Sequence, residues 1–188
     1  MQSSSHPQFV LPISRPVMRF GENEPCEVRS VDSTLELTDD DLETIVNICN
    51  EKLIYNRLFK ERFNGEIYSL VHAERFSTWA REGWQRNEWF MFLIRNSEKR
   101  IIGAIDIKSA MMDEAEIGYW ASSGSPGIMT NTAIELCHVA KEAGYPRLYA
   151  LIARDNEKSI RVVLKAQFVQ DGEVERDGKH YLKFTKTL

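Results

Sequence analysis

The polar and apolar positions change period several times along the chain. At residues 27–31, "EVRSV" alternates as a strand does. The following "TDDDLETIVNICNEKL" places Leu42, Ile45, Val46, Cys49 and Leu53 at helical spacing. Thr38 is suited to cap that helix, with Asp39, Asp40 and Asp41 in its first turn, where carboxylates favour the positive end of the dipole. The acidic run is therefore expected to be structural. A second helix, "YSLVHAERFSTWAREGWQ", carries His72, Phe76, Trp79, Ala80 and Trp84 on one stripe. The period then falls to two. "EWFMFLIRN" and "KRIIGAIDIKS" are apolar on both faces and read as a hairpin of central strands, and "EAEIGYWAS" is the next strand. A loop leads into a helix that stops at Gly144. "RLYALIAR" is then a strand, "NEKSIRVVLKAQ" a helix, and "FVQDGEVERDGKHYLKFTK" a pair of strands broken by two Asp-Gly turns.

Four prolines (Pro7, Pro12, Pro16 and Pro25) crowd the first 25 residues and predict an extended arm, leaving residues 26–188 as one domain. With 24 basic against 28 acidic residues, a net charge of −4, the chain has no global basic field to recruit nucleic acid or anionic lipid. Cys26, Cys49 and Cys137 are odd in number and lack metal-ligand spacing, which predicts reduced thiols. No apolar run reaches the ~20 residues of a membrane span, and the N-terminus lacks a signal-peptide pattern. The expectation is a soluble, cytoplasmic protein that uses no membrane.

The stretch "EIGYWASSGSPGIMTNTAIELC", residues 116–137, runs from a strand through a glycine-containing loop into a helix. Ser125 suits an N-cap and Pro126 a first helical residue, which explains the loop without a ligand. Equally, the free N–H groups of Gly127, Ile128 and Met129 at a helix start can receive a pyrophosphate, with Gly127 allowing close approach. Both readings stand on this stretch alone. His72 likewise reads either as a hydrogen-bonded core histidine or as a catalytic one.

Taken in order, "IIGAIDI", "AEIGYW", "GSPGIMTNTA" and "NEKSIRVVLKAQF" make residues 27–188 resemble the GNAT acyl-coenzyme A N-acyltransferases, in the branch that includes ribosomal-protein N-terminal acetyltransferases. The resemblance implies an α/β (α+β) fold: a twisted mixed sheet of about seven strands, split near its middle and flanked by about four helices. It also implies a pantetheine arm pairing along "GYWA", at Tyr119, Trp120 and Ala121, whose amides would polarise a thioester carbonyl. The family's phosphate loop, Gln/Arg-x-x-Gly-x-Gly/Ala, falls on residues 122–127. Ser122 and Ser125 depart from it, Gly124 offers flexibility one residue early, and Pro126 lacks an N–H.

Asn156 matches an asparagine that holds the pantetheine region. Ser159 matches a small residue three positions on and is the nearest hydroxyl to serve as thiolate acid, since Val163 stands where many relatives have tyrosine. Gln167 replaces a glycine before Phe168 and falls on the stripe of Ile160, Val163 and Leu164. Glu116 is the expected base. The implied activity is transfer of an acetyl group from acetyl-CoA to a primary amine, either a peptide N-terminus or a small molecule. The alternative is a silent acyl-CoA sensor of the same fold. Trp79, Trp84 and Trp89 mark the region of the acceptor pocket, core packing being expected for at least two of them, and a homodimer stays open.

Overall fold

The structure is a computed structural model that describes residues 6–19 and 24–188. Eight strands form one sheet in the order β1-β2-β3-β4-β5-β6-β8-β7. They are β1 (Ser14–Met18), β2 (Pro25–Ser30), β3 (Phe90–Arg95), β4 (Ile101–Ile107), β5 (Ala115–Ala121), β6 (Arg147–Ala153), β7 (Val169–Arg176) and β8 (Lys179–Thr187). The helices are α1 (Asp39–Cys49), a single turn α2 (Lys52–Ile54) that continues as a π-helical turn over Tyr55–Phe59, α3 (Leu70–Arg86), α4 (Ile128–Glu142) and α5 (Glu157–Lys165).

The strand beyond the expected seven is β1, which pairs antiparallel with β2. The proline-rich start is thus tied to the domain. Pro16 lies on this edge strand, where a missing donor is tolerated. Just before it, Phe9 packs on Trp84 and Phe90 at 5.2 and 4.5 Å between ring centroids. The remainder of the arm, residues 1–5 and 20–23, lies outside the described residues.

Alternation in the central hairpin divides the core. Phe90, Phe92 and Ile94 face a cluster with α4 and α5, including Ile128, Leu136, Val163 and Phe168. Met91 and Leu93 face a second cluster with α1 and α3, including Ile45, Ile48, Ala73 and Ala80. Both faces of the sheet are covered, which is why these strands are apolar throughout.

Thr38 caps α1 as its position predicts: its side chain accepts from the Asp41 N–H at 3.2 Å, and Asp41 returns the favour to the Thr38 N–H at 3.1 Å. Asp41 is also held by Arg95 through two contacts of 2.9 and 3.0 Å, so its charge is structural. The first Asp-Gly pair near the C-terminus makes an irregularity in register between Gln170 and Glu173 rather than a turn. Only Asp177-Gly178 joins β7 to β8. Gln167 has φ 67° and is exposed, so a glycine there is explained by backbone conformation and its amide needs no buried partner. The three cysteines are free and buried. Among the described residues no helix is long and apolar enough to cross a membrane.

Candidate active site

The strands β5 and β6 run parallel, yet their register covers only Ala115 with Leu148 and Glu116 with Tyr149. Beyond Glu116 they diverge. On its other edge β5 stays paired with β4, from Ile117 opposite Ile107 to Ala121 opposite Gly103. The Ser122 N–H donates to the Ile102 carbonyl and the Lys108 N–H to the Glu116 carbonyl. Residues 116, 118, 120 and 122 therefore turn their backbone groups to β4, and Ile117, Tyr119 and Ala121 turn theirs to the opening. An exposed run of strand N–H and C=O groups inside a cleft can take an extended ligand as an added strand. Trp120 is the exception among the three residues expected to present amides there, because its amide belongs to the β4 side.

The opening is the floor of a cleft of about 880 Å³ lined by Ile117, Gly118 and Tyr119, by residues 150–156 of β6 and its continuation, and by Ser159. Asn156 is the N-cap of α5, its Oδ1 accepting from the Ser159 N–H at 3.3 Å. The Tyr119 hydroxyl donates to the Ser159 carbonyl at 3.2 Å, joining β5 to α5 across the cleft. Burial pushes the Tyr119 pKa up to about 12, so this phenol stays protonated at neutral pH.

At the far end of β5 the loop differs from its expected form. Helix α4 begins at Ile128, its N-cap is Gly127 with φ 86°, and neither Ser125 nor Pro126 has the predicted capping role. Tertiary contacts pull these residues out of the helix. The Ser125 N–H closes a turn on the Ser122 carbonyl at 3.0 Å, and the Arg19 guanidinium takes the carbonyls of Pro126 at 2.9 Å and Gly124 at 3.3 Å. Glu51, between α1 and α2, accepts from the Ser122 hydroxyl at 2.6 Å and the Ser123 N–H at 2.7 Å. Among the described residues nothing accepts from the N–H groups of Gly127, Ile128 or Met129. A helix start with free amides is competent for a phosphate oxygen, and the positive φ of Gly127 is what lets the chain turn there. The Gly127 amides were legible in the sequence; Arg19 and Glu51 as supports of the loop were not.

Glu116 is buried to 7% exposure at the root of the split, and it lines neither the cleft nor the cavity described next. It accepts from Lys108 at 2.5 Å and from Arg176 at 2.8 Å. Burial alone would raise its pKa, but the attraction and hydrogen bonds of these two cations outweigh burial and hold it below the usual carboxylate range. A carboxylate so held is a weak proton acceptor and a strong clamp, tying β4 and β5 to the end of β7. Glu116→Gln is expected to lower stability at pH 7 by about 1–3 kcal/mol, less than for a fully buried pair because both cations are about half exposed. With its folded pKa depressed, the ionised clamp contributes above the unfolded value near 4.5, and that contribution is lost as pH falls through the lower folded value. Thermal unfolding from pH 7 to pH 3 should show the difference between variant and parent closing at the acid end.

A second cavity, of about 510 Å³, lies between β4, β5, α3 and the π-helical turn, and it shares Leu58, Lys108, Gly118 and Tyr119 with the cleft. Its walls include Phe59, Phe63, Tyr68, Phe76, Trp79 and Trp120. Trp79, which is 39% exposed, lines it. Trp84 is core instead, and Trp89 stacks on Trp79 at 5.5 Å while donating to the Trp79 carbonyl. His72 also lines this cavity. Its Nδ1 accepts from the Ser69 N–H at 3.0 Å, so its placement is set by capping α3.

The carboxylate on this cavity is Asp106, 8% exposed and opposite Gly118 in the β4–β5 register. Burial pushes its pKa up to about 6, against the pull of Lys108. A side chain at position 118 would meet Asp106 Oδ1 and Lys108 Cε, each at 2.7 Å from its Cβ, so only glycine leaves room for both. Sequence reasoning passed over Asp106. The signal was present: it is the single acid in "IIGAIDI", a strand otherwise apolar on both faces.

Residues 35–169 match the model of a family described as an acetyltransferase (GNAT) domain. No curated protein sequence matches the chain. Among solved structures it is similar to Mycobacterium smegmatis RimJ in complex with a CoA-disulfide, with 17% identity, 94% of this chain and 88% of that chain covered, and a TM-score of 0.73. RimL, a ribosomal L7/L12 alpha-N-protein acetyltransferase in complex with coenzyme A, gives 16% identity, coverage of 93% and 98%, and a TM-score of 0.70. A ribosomal-protein-S5-alanine acetyltransferase from Vibrio fischeri gives 19% identity, coverage of 93% and 96%, and a TM-score of 0.67.

Proposed function

The chain belongs to the GNAT acetyltransferase domain family, and on that premise we propose that it moves an acetyl group from acetyl-CoA to a primary amine held in the inner cavity. The observation that carries this reading is the position of Asp106, a buried carboxylate on the cavity that adjoins the cleft at Gly118 and Tyr119. The RimJ and RimL structures similar to this chain hold coenzyme A. The features that suit such a ligand here are the inner edge of β5, which pairs with β6 only at Ala115 and Glu116, and the start of α4, whose first amides have no backbone acceptor outside the helix among the described residues.

When bound, acetyl-CoA supplies a thioester whose carbonyl carbon accepts the amine nitrogen. In this reading the outward amides of Tyr119 and Ala121 polarise that carbonyl, and those of Gly127, Ile128 and Met129 receive the pyrophosphate. Asn156 supports the cleft wall by fixing the first turn of α5. Asp106 takes the proton that the amine must shed, and a pKa near 6 makes it an acceptor that is ionised at neutral pH yet basic enough to work. As the new C–N bond forms and the C–S bond breaks, the departing thiolate needs a proton, for which the Tyr119 and Ser159 hydroxyls line the cleft. Glu116 is assigned to the clamp and not to proton transfer.

Two measurements test this. At about a hundred times its dissociation constant, a ligand selective for the folded state adds roughly 2.7 kcal/mol, so acetyl-CoA should raise the melting temperature by several degrees. Free thiol should then appear when acetyl-CoA is supplied with a panel of amines. No thermal shift at millimolar acetyl-CoA would overturn the cofactor assignment. A shift with no thiol released by peptides, polyamines or amino acids would favour the sensor.

A further inference from the structure

The inner cavity carries charge in an uneven way. Along α3, His72, Arg75, Phe76 and Trp79 recur at helical spacing and line it from one side. From the segment after the π-helical turn, Arg62 lines it from another, its guanidinium 5.8 Å from the centre of the Phe63 ring. Both arginines are exposed, and neither has a carboxylate at ion-pair distance among the described residues. The third cation on the cavity, Lys108, is already paired with Glu116. In a chain of net charge −4, the cavity thus presents two unpaired guanidiniums at its exposed side and one buried carboxylate, Asp106, at the sheet. Phe63, Phe76, Trp79 and Trp120 line the same cavity.

Those groups would not treat all amines alike. A polyamine would place its second ammonium in the field of Arg62 and Arg75, where like charges repel. A neutral amine would leave both guanidiniums unused. An oxyanion is what guanidinium groups recognise, by charge-assisted and often paired hydrogen bonds. Resting on the transferase reading above, we propose that the acceptor is a small primary amine joined through an aromatic or bulky apolar body to an oxyanion, a carboxylate foremost. Its amine end lies toward Asp106 and its anionic end at Arg62 and Arg75. The cavity volume of about 510 Å³ suits a molecule of amino-acid or dipeptide size.

The test uses the full chain and acceptors matched in body but not in charge: 4-(aminomethyl)benzoate, the corresponding phenylphosphonate, and benzylamine, with spermidine and a neutral tetrapeptide alongside. Thiol release from acetyl-CoA should show kcat/KM for the benzoate exceeding that for benzylamine by about ten- to a hundredfold, the range of one or two hydrogen bonds to a charged group. If the phosphonate exceeds the benzoate, the anion is a phosphoryl group and the oxyanion assignment stands. In the double variant Arg62→Gln/Arg75→Gln the advantage of the benzoate over benzylamine should vanish, the two acceptors giving similar kcat/KM. Since both side chains are exposed, the fold should survive, which circular dichroism checks.

Benzylamine, spermidine or the peptide matching or exceeding both anionic acceptors would overturn the proposal. So would an anionic preference that persists in the double variant. Failure of the transferase reading looks different, with no thiol from any amine. In that event equilibrium binding of the benzoate and of benzylamine to the protein still decides the charge preference: tighter benzoate binding that the double variant loses supports it, and equal binding overturns it.

Discussion

Asp106→Asn should lower kcat/KM by about a hundred- to ten-thousandfold, the range expected for removing a general base, while leaving acetyl-CoA binding intact. In the parent, kcat/KM should rise with pH through a midpoint near 6, where burial sets the Asp106 carboxyl, and the variant should lack that limb. Stability should move the other way. A carboxyl raised from 3.8 to about 6 disfavours its ionised form in the folded chain. The cost is absent below the unfolded value, grows as pH rises between the two values, and is constant above about 6. By linkage it amounts to about 3 kcal/mol. Asparagine removes it, so the variant should melt above the parent at pH 8 and not at pH 4. A large loss of activity with a gain of stability confined to higher pH is a signature that a merely structural Asp106 would not produce. A variant of unchanged activity would remove Asp106 from the mechanism.

Gly118→Ala should be nearly as damaging, for a geometric reason. Gly118 lines both the cleft and the inner cavity, and an added Cβ would lie 2.7 Å from Asp106 Oδ1 and from Lys108 Cε. Both must give way or the strand must shift; the lysine end is flexible, but the aspartate has little freedom because it is short and buried. Misplacing a reacting group by about an ångström costs on the order of a hundredfold in rate. The expected result is a kcat/KM lowered by about that factor, with acetyl-CoA affinity changed far less, because the amides of Tyr119 and Ala121 and the start of α4 are untouched. Equal kcat/KM in variant and parent would mean that Asp106 tolerates displacement, and the tight register at this point would lose its functional meaning.

Much of the fold is local physics and was legible in the chain. Period switches and turn signals located the strands from β2 onward, Thr38 followed by an acidic first turn marked the start of α1, and the apolar run of β3 and β4 announced a sheet covered on both faces. The four ordered motifs carried the family. What they could not carry was anything that depends on contacts between distant residues. β1 was hidden because prolines argue against a central strand and say nothing about an edge. The start of α4 moved two residues because Arg19 and the Ser122 carbonyl hold the loop, overriding the local preference of Ser125 for an N-cap.

The acid groups show the division most clearly. Glu116 sits on the strand leading to the loop, which made it the natural base in sequence. Only the pairing of β7 with β8 at the edge of the sheet brings Arg176 to it and turns it into a clamp. Asp106 looks like an interruption in an apolar strand until β5 places Gly118 opposite it and the two cavities meet there. A sequence determines which residues can ionise and on which face of an element they fall. Which carboxylate stays paired and which is left buried with a raised pKa is decided by neighbours brought from elsewhere in the chain, because desolvation and partner charges act through space.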